Sequence, residues 1–72
     1  MKKVGKLLHV TSTGGVGRFE VEPKIGQPVF DKDGKRIGNI IDIFGPTHHP
    51  YVKIKPASGV RLEEFVGRYL YA

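Results

Sequence analysis

The sequence predicts an all-β domain, a small closed barrel of about six antiparallel strands, and three observations lead there. Short runs of alternating apolar and polar residues follow one another along the chain. Glycine or proline punctuates the junctions between them, and no stretch carries the three-and-four apolar spacing of an amphipathic helix. At 72 residues the chain makes one domain, spanning residues 1–72, and a sheet of that many short strands exposes two unpaired edges unless it curls onto itself. Closure also suits the size, because so small a domain buries only about 60 % of the surface its unfolded chain exposes.

The strand candidates are Val4 to Val10, Gly17 to Val21, Val29 to Phe30, Ile37 to Phe44, Tyr51 to Lys55 and Gly67 to Tyr71. Between the first two, Gly14, Gly15 and Gly17 read as hairpin glycines, with Thr11, Ser12 and Thr13 completing the loop. A phosphate-binding loop is excluded there, since no Gly-Lys-Ser/Thr follows and no helix begins. Asp31-Lys32-Asp33-Gly34 is a second hairpin turn, because Asp-Gly between Val29-Phe30 and Ile37 supplies the positive backbone torsion such turns need. Lys35 and Arg36 follow where a calcium loop would continue with oxygen ligands. Only Arg61 to Phe65 suits a helical turn.

In the fourth run, Ile37, Ile40, Ile41 and Ile43 cannot all share one face under a two-residue alternation. A β-bulge near Gly38 or Asp42 would break the phase and bend the strand round a barrel corner. Without a bulge, either Ile41 and Ile43 or Ile40 and Phe44 lie outside, leaving an apolar surface of the kind partners cover.

The next segment, Ile43 to Pro56, reads IFGPTHHPYVKIKP. Pro46 and Pro50 bracket a short loop, and Phe44 and Tyr51 stand at its two ends, where a turn has no need of aromatic rings. Prolines restrict the loop before any association and so lower the ordering cost of binding. Rigid aromatics are the side chains that dominate interfaces. Phe44, Gly45, Pro46, Pro50, Tyr51 and Val52 are therefore the candidate partner-binding residues, with Phe44 equally readable as core and Tyr51 expected to face outward.

A formal net charge of +5 and a pI near 9.8 favour acidic partners, nucleic acid among them. Glu20, Glu22, Asp31, Asp33, Glu63 and Glu64 interrupt the basic stretches, so no continuous phosphate-tracking stripe is visible. Lys2, Lys3, Arg36, Lys53 and Lys55 are the candidate phosphate contacts, against the plainer reading that surface lysines keep the domain soluble. Adjacent His48 and His49, with His9 remote and cysteine absent, make a poor zinc set. Catalysis finds no support either: Ser12 and Ser58 lack a nucleophile elbow, Asp42 is a lone carboxylate in an apolar run, and Glu63 and Glu64 sit side by side on a turn. No cofactor motif is present. With no disulfide framework, secretion signal or long apolar run, the expectation is a cytoplasmic protein without membrane attachment.

The order Ile37-Gly38-Asn39-Ile40-Ile41-Asp42-Ile43-Phe44-Gly45-Pro46, four residues, then Tyr51-Val52-Lys53-Ile54-Lys55-Pro56 resembles the core of the Gar protein of H/ACA ribonucleoproteins. Leu7-Leu8-His9-Val10 after Gly5-Lys6, and the closing Gly67-Arg68-Tyr69-Leu70-Tyr71, are similar too; Thr11 to Gln27 is less characteristic. The resemblance implies a six-stranded barrel of the translation-factor second-domain type. It also implies a non-catalytic subunit that docks on a dyskerin-type pseudouridine synthase, meets guide RNA and ribosomal RNA mainly indirectly, and is monomeric within a multi-protein complex. The form the resemblance implies is a minimal, archaeal-type one, without the glycine-arginine-rich tails of eukaryotic members. Val29 to Ile43 with its Asp-Gly turn also resembles the opening strands of the PRC-type barrel, which implies instead a free-standing RNA-binding or ribosome-maturation protein.

Overall fold

The computed structural model describes residues 1–72 and is an all-β closed barrel. Its strands are β1 (Lys3–Thr11), β2 (Gly14–Phe19), β3 (Pro28–Phe30), β4 (Arg36–Phe44), β5 (Tyr51–Pro56) and β6 (Tyr69–Tyr71), with one 3₁₀ turn at Leu62–Phe65. Around the wall the order is β1-β2-β5-β4-β3-β6, β6 returns to β1, and every pair is antiparallel. No edge strand is left open along the closed wall, which answers the aggregation hazard of so short a sheet. No helix is long and apolar enough to cross a membrane.

Alternation decides what fills the barrel. Leu7, Phe19, Ile37, Ile40, Val52, Ile54 and Leu70 point inward and are almost wholly buried, and Leu62 of the 3₁₀ turn plugs the same core. In β4 the phase does break: pairing with β5 runs Ile40 to Ile54 and then Asp42 to Lys53, so Ile41 is the unpaired extra residue of a bulge. Ile37 and Ile40 therefore face in, Ile43 is half-buried, and Ile41 and Phe44 face out. Asp42 uses the irregularity locally, its Oδ1 accepting the Ile43 N–H at 2.9 Å.

The Asp-Gly hairpin forms between β3 and β4. Asp31 Oδ1 accepts the N–H groups of Asp33 and Lys35, both at 2.9 Å, while Gly34 takes φ +84°. The glycines of the first hairpin differ from the sequence expectation. The turn is Ser12-Thr13, and Gly14, Gly15 and Gly17 belong to β2, which starts three residues earlier than its candidate run. Gly14 does take the positive torsion the hairpin reading expects, φ +145°, whereas Gly15 and Gly17 are glycine for want of room. A Cβ on Gly15 would lie 2.9 Å from Leu62 Cδ1, and one on Gly17 would lie 2.9 Å from Leu70 Cδ1. These positions face the barrel interior where larger side chains from other elements converge.

Candidate functional site

The Phe44 to Tyr51 loop is built by the end of β4 and the start of β5. Phe44 and Tyr51 are cross-strand partners, which stacks their rings with centroids 5.7 Å apart and planes 24° from parallel. Gly45 reverses the chain at φ +86°, and a Cβ there would meet Tyr51 Cδ2 at 2.5 Å. Glycine is thus required twice at this residue, for its torsion and for the ring beneath it. Pro50 is buried, and its carbonyl accepts the Phe19 N–H at 2.9 Å, tying the far end of the loop to β2.

Phe44 is 44 % exposed, so the reading in which it belongs to the core is set aside, and Tyr51 is half-buried against it. Gly45 and Pro46 are exposed beside them. Val52 is a correction to the candidate set: it is 0 % exposed and lies in the core, because the alternation that turns Tyr51 outward turns its neighbour inward. Pro50, being buried, supports the loop rather than covering its surface. A groove runs beside the knuckle between Phe44, Pro46 and His48 on one bank and Glu20, Val21, Glu22 and Pro23 on the other.

The five basic candidates do not converge. Lys3 lies on β1 beside β6, whereas Lys53 and Lys55 lie on β5. Lys53 donates from Nζ to Thr13 Oγ1 at 2.7 Å, and Arg36 is held by the Asn39 side chain. Lys2 is exposed, its backbone paired with Ala72. His48 and His49 are exposed in the loop, and no group of three or more His, Cys, Asp or Glu comes together as a metal site.

A different basic cluster exists. Tyr69 of β6 pairs with Lys6 of β1, and Lys6 pairs with Arg18 of β2, so three outward side chains stand abreast. Tyr69 is 50 % exposed, with Lys3 Nζ 4.3 Å and Lys6 Nζ 5.9 Å from its ring centroid. Arg18 in turn pairs with Tyr51, and Tyr51 with Phe44, so one row crosses five strands from Tyr69 to the knuckle. Lys6, Arg18 and Tyr69 were absent from the sequence candidates. Alternation marks each as outward, but their adjacency depends on β1 lying between β6 and β2, which a single sequence does not reveal.

The family model described as the Gar1/Naf1 RNA binding region matches residues 1–72. An uncharacterised protein of Methanothermobacter thermautotrophicus is 45 % identical over 75 residues, covering 99 % of this chain and 82 % of the relative. Another, from Methanocaldococcus jannaschii, is 46 % identical over 52 residues, covering 71 % of this chain and 63 % of the relative. The matched family comprises RNA-binding accessory proteins associated with H/ACA ribonucleoproteins.

Proposed function

The chain belongs to the Gar1/Naf1 family, and from that premise we propose that it is a non-catalytic subunit of an H/ACA guide-RNA pseudouridylation complex acting in the cytoplasm. In this reading it docks on the catalytic domain of a dyskerin-type pseudouridine synthase and assists loading or release of substrate RNA during ribosomal RNA modification. Isomerisation of the uridine belongs to the synthase.

The observation that supports the docking assignment is the stack of exposed Phe44 on half-buried Tyr51 at the mouth of a proline-braced loop. An apolar ring left half in water is a poor use of a small core, and a preorganised one is a good anchor for another polypeptide. Calorimetric titration of the synthase with the folded protein tests it. Saturable binding is expected, and Tyr51→Ala should weaken it by about 2 kcal/mol, roughly 30-fold. Unchanged affinity in a folded Tyr51→Ala protein removes the knuckle from the interface.

The second reading, a free-standing RNA-binding or ribosome-maturation barrel, draws on the lysines gathered about Tyr69. It predicts no complex with the synthase at all, and co-purification from cells decides between the two.

A further inference from the structure

We propose that the outer face of β6, β1 and β2 around Tyr69 binds a short unpaired stretch of RNA, one base stacking on the Tyr69 ring while Lys3, Lys6 and Arg18 hold the flanking phosphates. The proposal deepens the accessory-subunit reading and rests on it, because it says how substrate RNA is handled directly by this chain and on which wall.

Register sets the geometry. Tyr69, Lys6 and Arg18 are successive cross-strand partners, and neighbouring strands lie about 4.8 Å apart, so a ring and two cations occupy roughly 10 Å of wall. Lys3 reaches the same ring from the start of β1. Beside them a shallow depression is lined by Gly5, Lys6, Leu8, Arg18, Glu20 and Tyr69. Arg68, the residue before Tyr69, is exposed as well.

The chemistry of this wall selects its ligand. A lysine over an exposed ring is held weakly compared with a stacked base, so Lys3 and Lys6 are free to exchange the ring for phosphate oxygens when a nucleotide arrives. A duplex keeps its bases paired and stacked and offers the wall phosphates and sugars, which leaves the Tyr69 ring unused; an unpaired segment uses both ring and cations. Glu20 closes the depression toward the acid-lined groove beside Phe44 and repels a phosphate there. The strand of RNA is therefore directed from Arg18 across Lys6 and Tyr69 toward Lys3, away from the knuckle.

The test uses the isolated full chain and fluorescence anisotropy with a labelled, unstructured oligoribonucleotide of mixed sequence, set against a hairpin duplex, across a potassium chloride series. The unpaired RNA should bind more tightly than the duplex. Tyr69→Ala should weaken binding about tenfold while Tyr69→Phe keeps it, since stacking needs the ring and not the hydroxyl. Lys6→Ala and Arg18→Ala should each flatten the plot of log affinity against log salt by about 0.7. Should Tyr69→Ala lose its fold by circular dichroism, the Lys3→Ala, Lys6→Ala double variant makes the same test by a flattening of about 1.4. No binding at low salt, equal preference for the duplex, wild-type affinity in folded Tyr69→Ala, or an unchanged slope in the lysine double variant overturns the proposal. Because no synthase is present, such a failure leaves the docking titration untouched, and failure of the docking titration leaves these curves untouched.

Discussion

At one end of the cross-strand row on the barrel wall stand two rings, Phe44 and Tyr51, stacked on each other; at the other stands a single ring, Tyr69, with two lysines for company. Exposure barely separates Phe44 and Tyr69, at 44 % and 50 %. Their surroundings do. Of the paired rings, Phe44 borders a groove that Glu20 and Glu22 also line, and the loop beside them is stiffened by Pro46 and the buried Pro50. The single ring borders Lys3, Lys6 and Arg18 on one side, and on the other it lines a cavity with Asp31, Lys32, Asp33, Phe65, Arg68 and Tyr71. An aromatic among acids, aliphatics and prolines suits a polypeptide, whereas one among cations suits a polyanion. On the proposed reading it is the neighbours, more than the ring itself, that assign a polypeptide to one surface and RNA to the other.

The comparison breaks completely if the barrel is lost, because only register holds the two surfaces on one wall. Gly17 lies on β2 between them, with Leu70 Cδ1, the Lys6 carbonyl and Val52 Cγ2 crowding the place of its missing side chain. Gly17→Val overfills that space and should lower unfolding stability by about 3 kcal/mol in a denaturant titration. Synthase and RNA binding should then fall together. A Gly17→Val protein as stable as the parent shows that the wall yields more than its packing implies.

Tyr51→Ala separates the two ends. Its expected loss of about 2 kcal/mol in synthase affinity should leave the RNA anisotropy curve in place, although Arg18 is Tyr51's register partner. Salt sharpens the same contrast. Synthase docking through stacked rings should change little between low and moderate salt, while RNA binding at Tyr69 should weaken steeply because counterions compete for the phosphates. Equal salt slopes for the two ligands would mean that one surface serves both.

Much of this barrel was legible in the sequence, because alternation and turn chemistry are local. The Asp31 to Gly34 turn is written in four residues, and the four isoleucines of β4 left either a bulge near Gly38 or Asp42 or an apolar outer face, of which the structure has the bulge, at Ile41 beside Asp42. The glycines of β2 show where local reading stops. Three glycines after Thr11-Ser12-Thr13 look like a loop, yet they are strand residues: Gly14 keeps the positive φ of a turn, while Gly15 and Gly17 are kept small by Leu7, Leu62 and Leu70 from other elements. The functional surfaces divide the same way. The proposed knuckle is contiguous in sequence, so its outward residues Phe44, Gly45, Pro46 and Tyr51 could be picked out there, whereas Pro50 and Val52 of the same candidate set are buried, Val52 by the alternation that turns Tyr51 outward. The Tyr69 wall is assembled from positions 3, 6, 18 and 69, and only strand order brings them together.

Gly45 probes how far the knuckle depends on its backbone. At φ +86° an alanine carries about 1–2 kcal/mol of left-handed strain, and its Cβ also displaces the Tyr51 ring from its stack on Phe44. Thermal unfolding of Gly45→Ala should drop accordingly, and docking should suffer while RNA binding does not. A variant with reduced stability but parental synthase affinity would mean that the stack is not what the synthase reads.

The smallest effect belongs to Pro46, and it is the one that tests preorganisation apart from contact. Pro46 is exposed and follows Gly45 in the loop, so Pro46→Ala deletes little surface and leaves both rings in place. What it changes is the freedom of the loop before binding and of the chain before folding. Replacing proline by alanine where the native torsion suits proline lowers stability by about 0.4–1 kcal/mol through the unfolded state. A similar amount should disappear from docking if the loop must be ordered on association. In calorimetry the loss should fall in the entropy of binding, with the enthalpy nearly that of the parent. If the loss is enthalpic instead, Pro46 touches the synthase directly, and the knuckle is broader than its two rings.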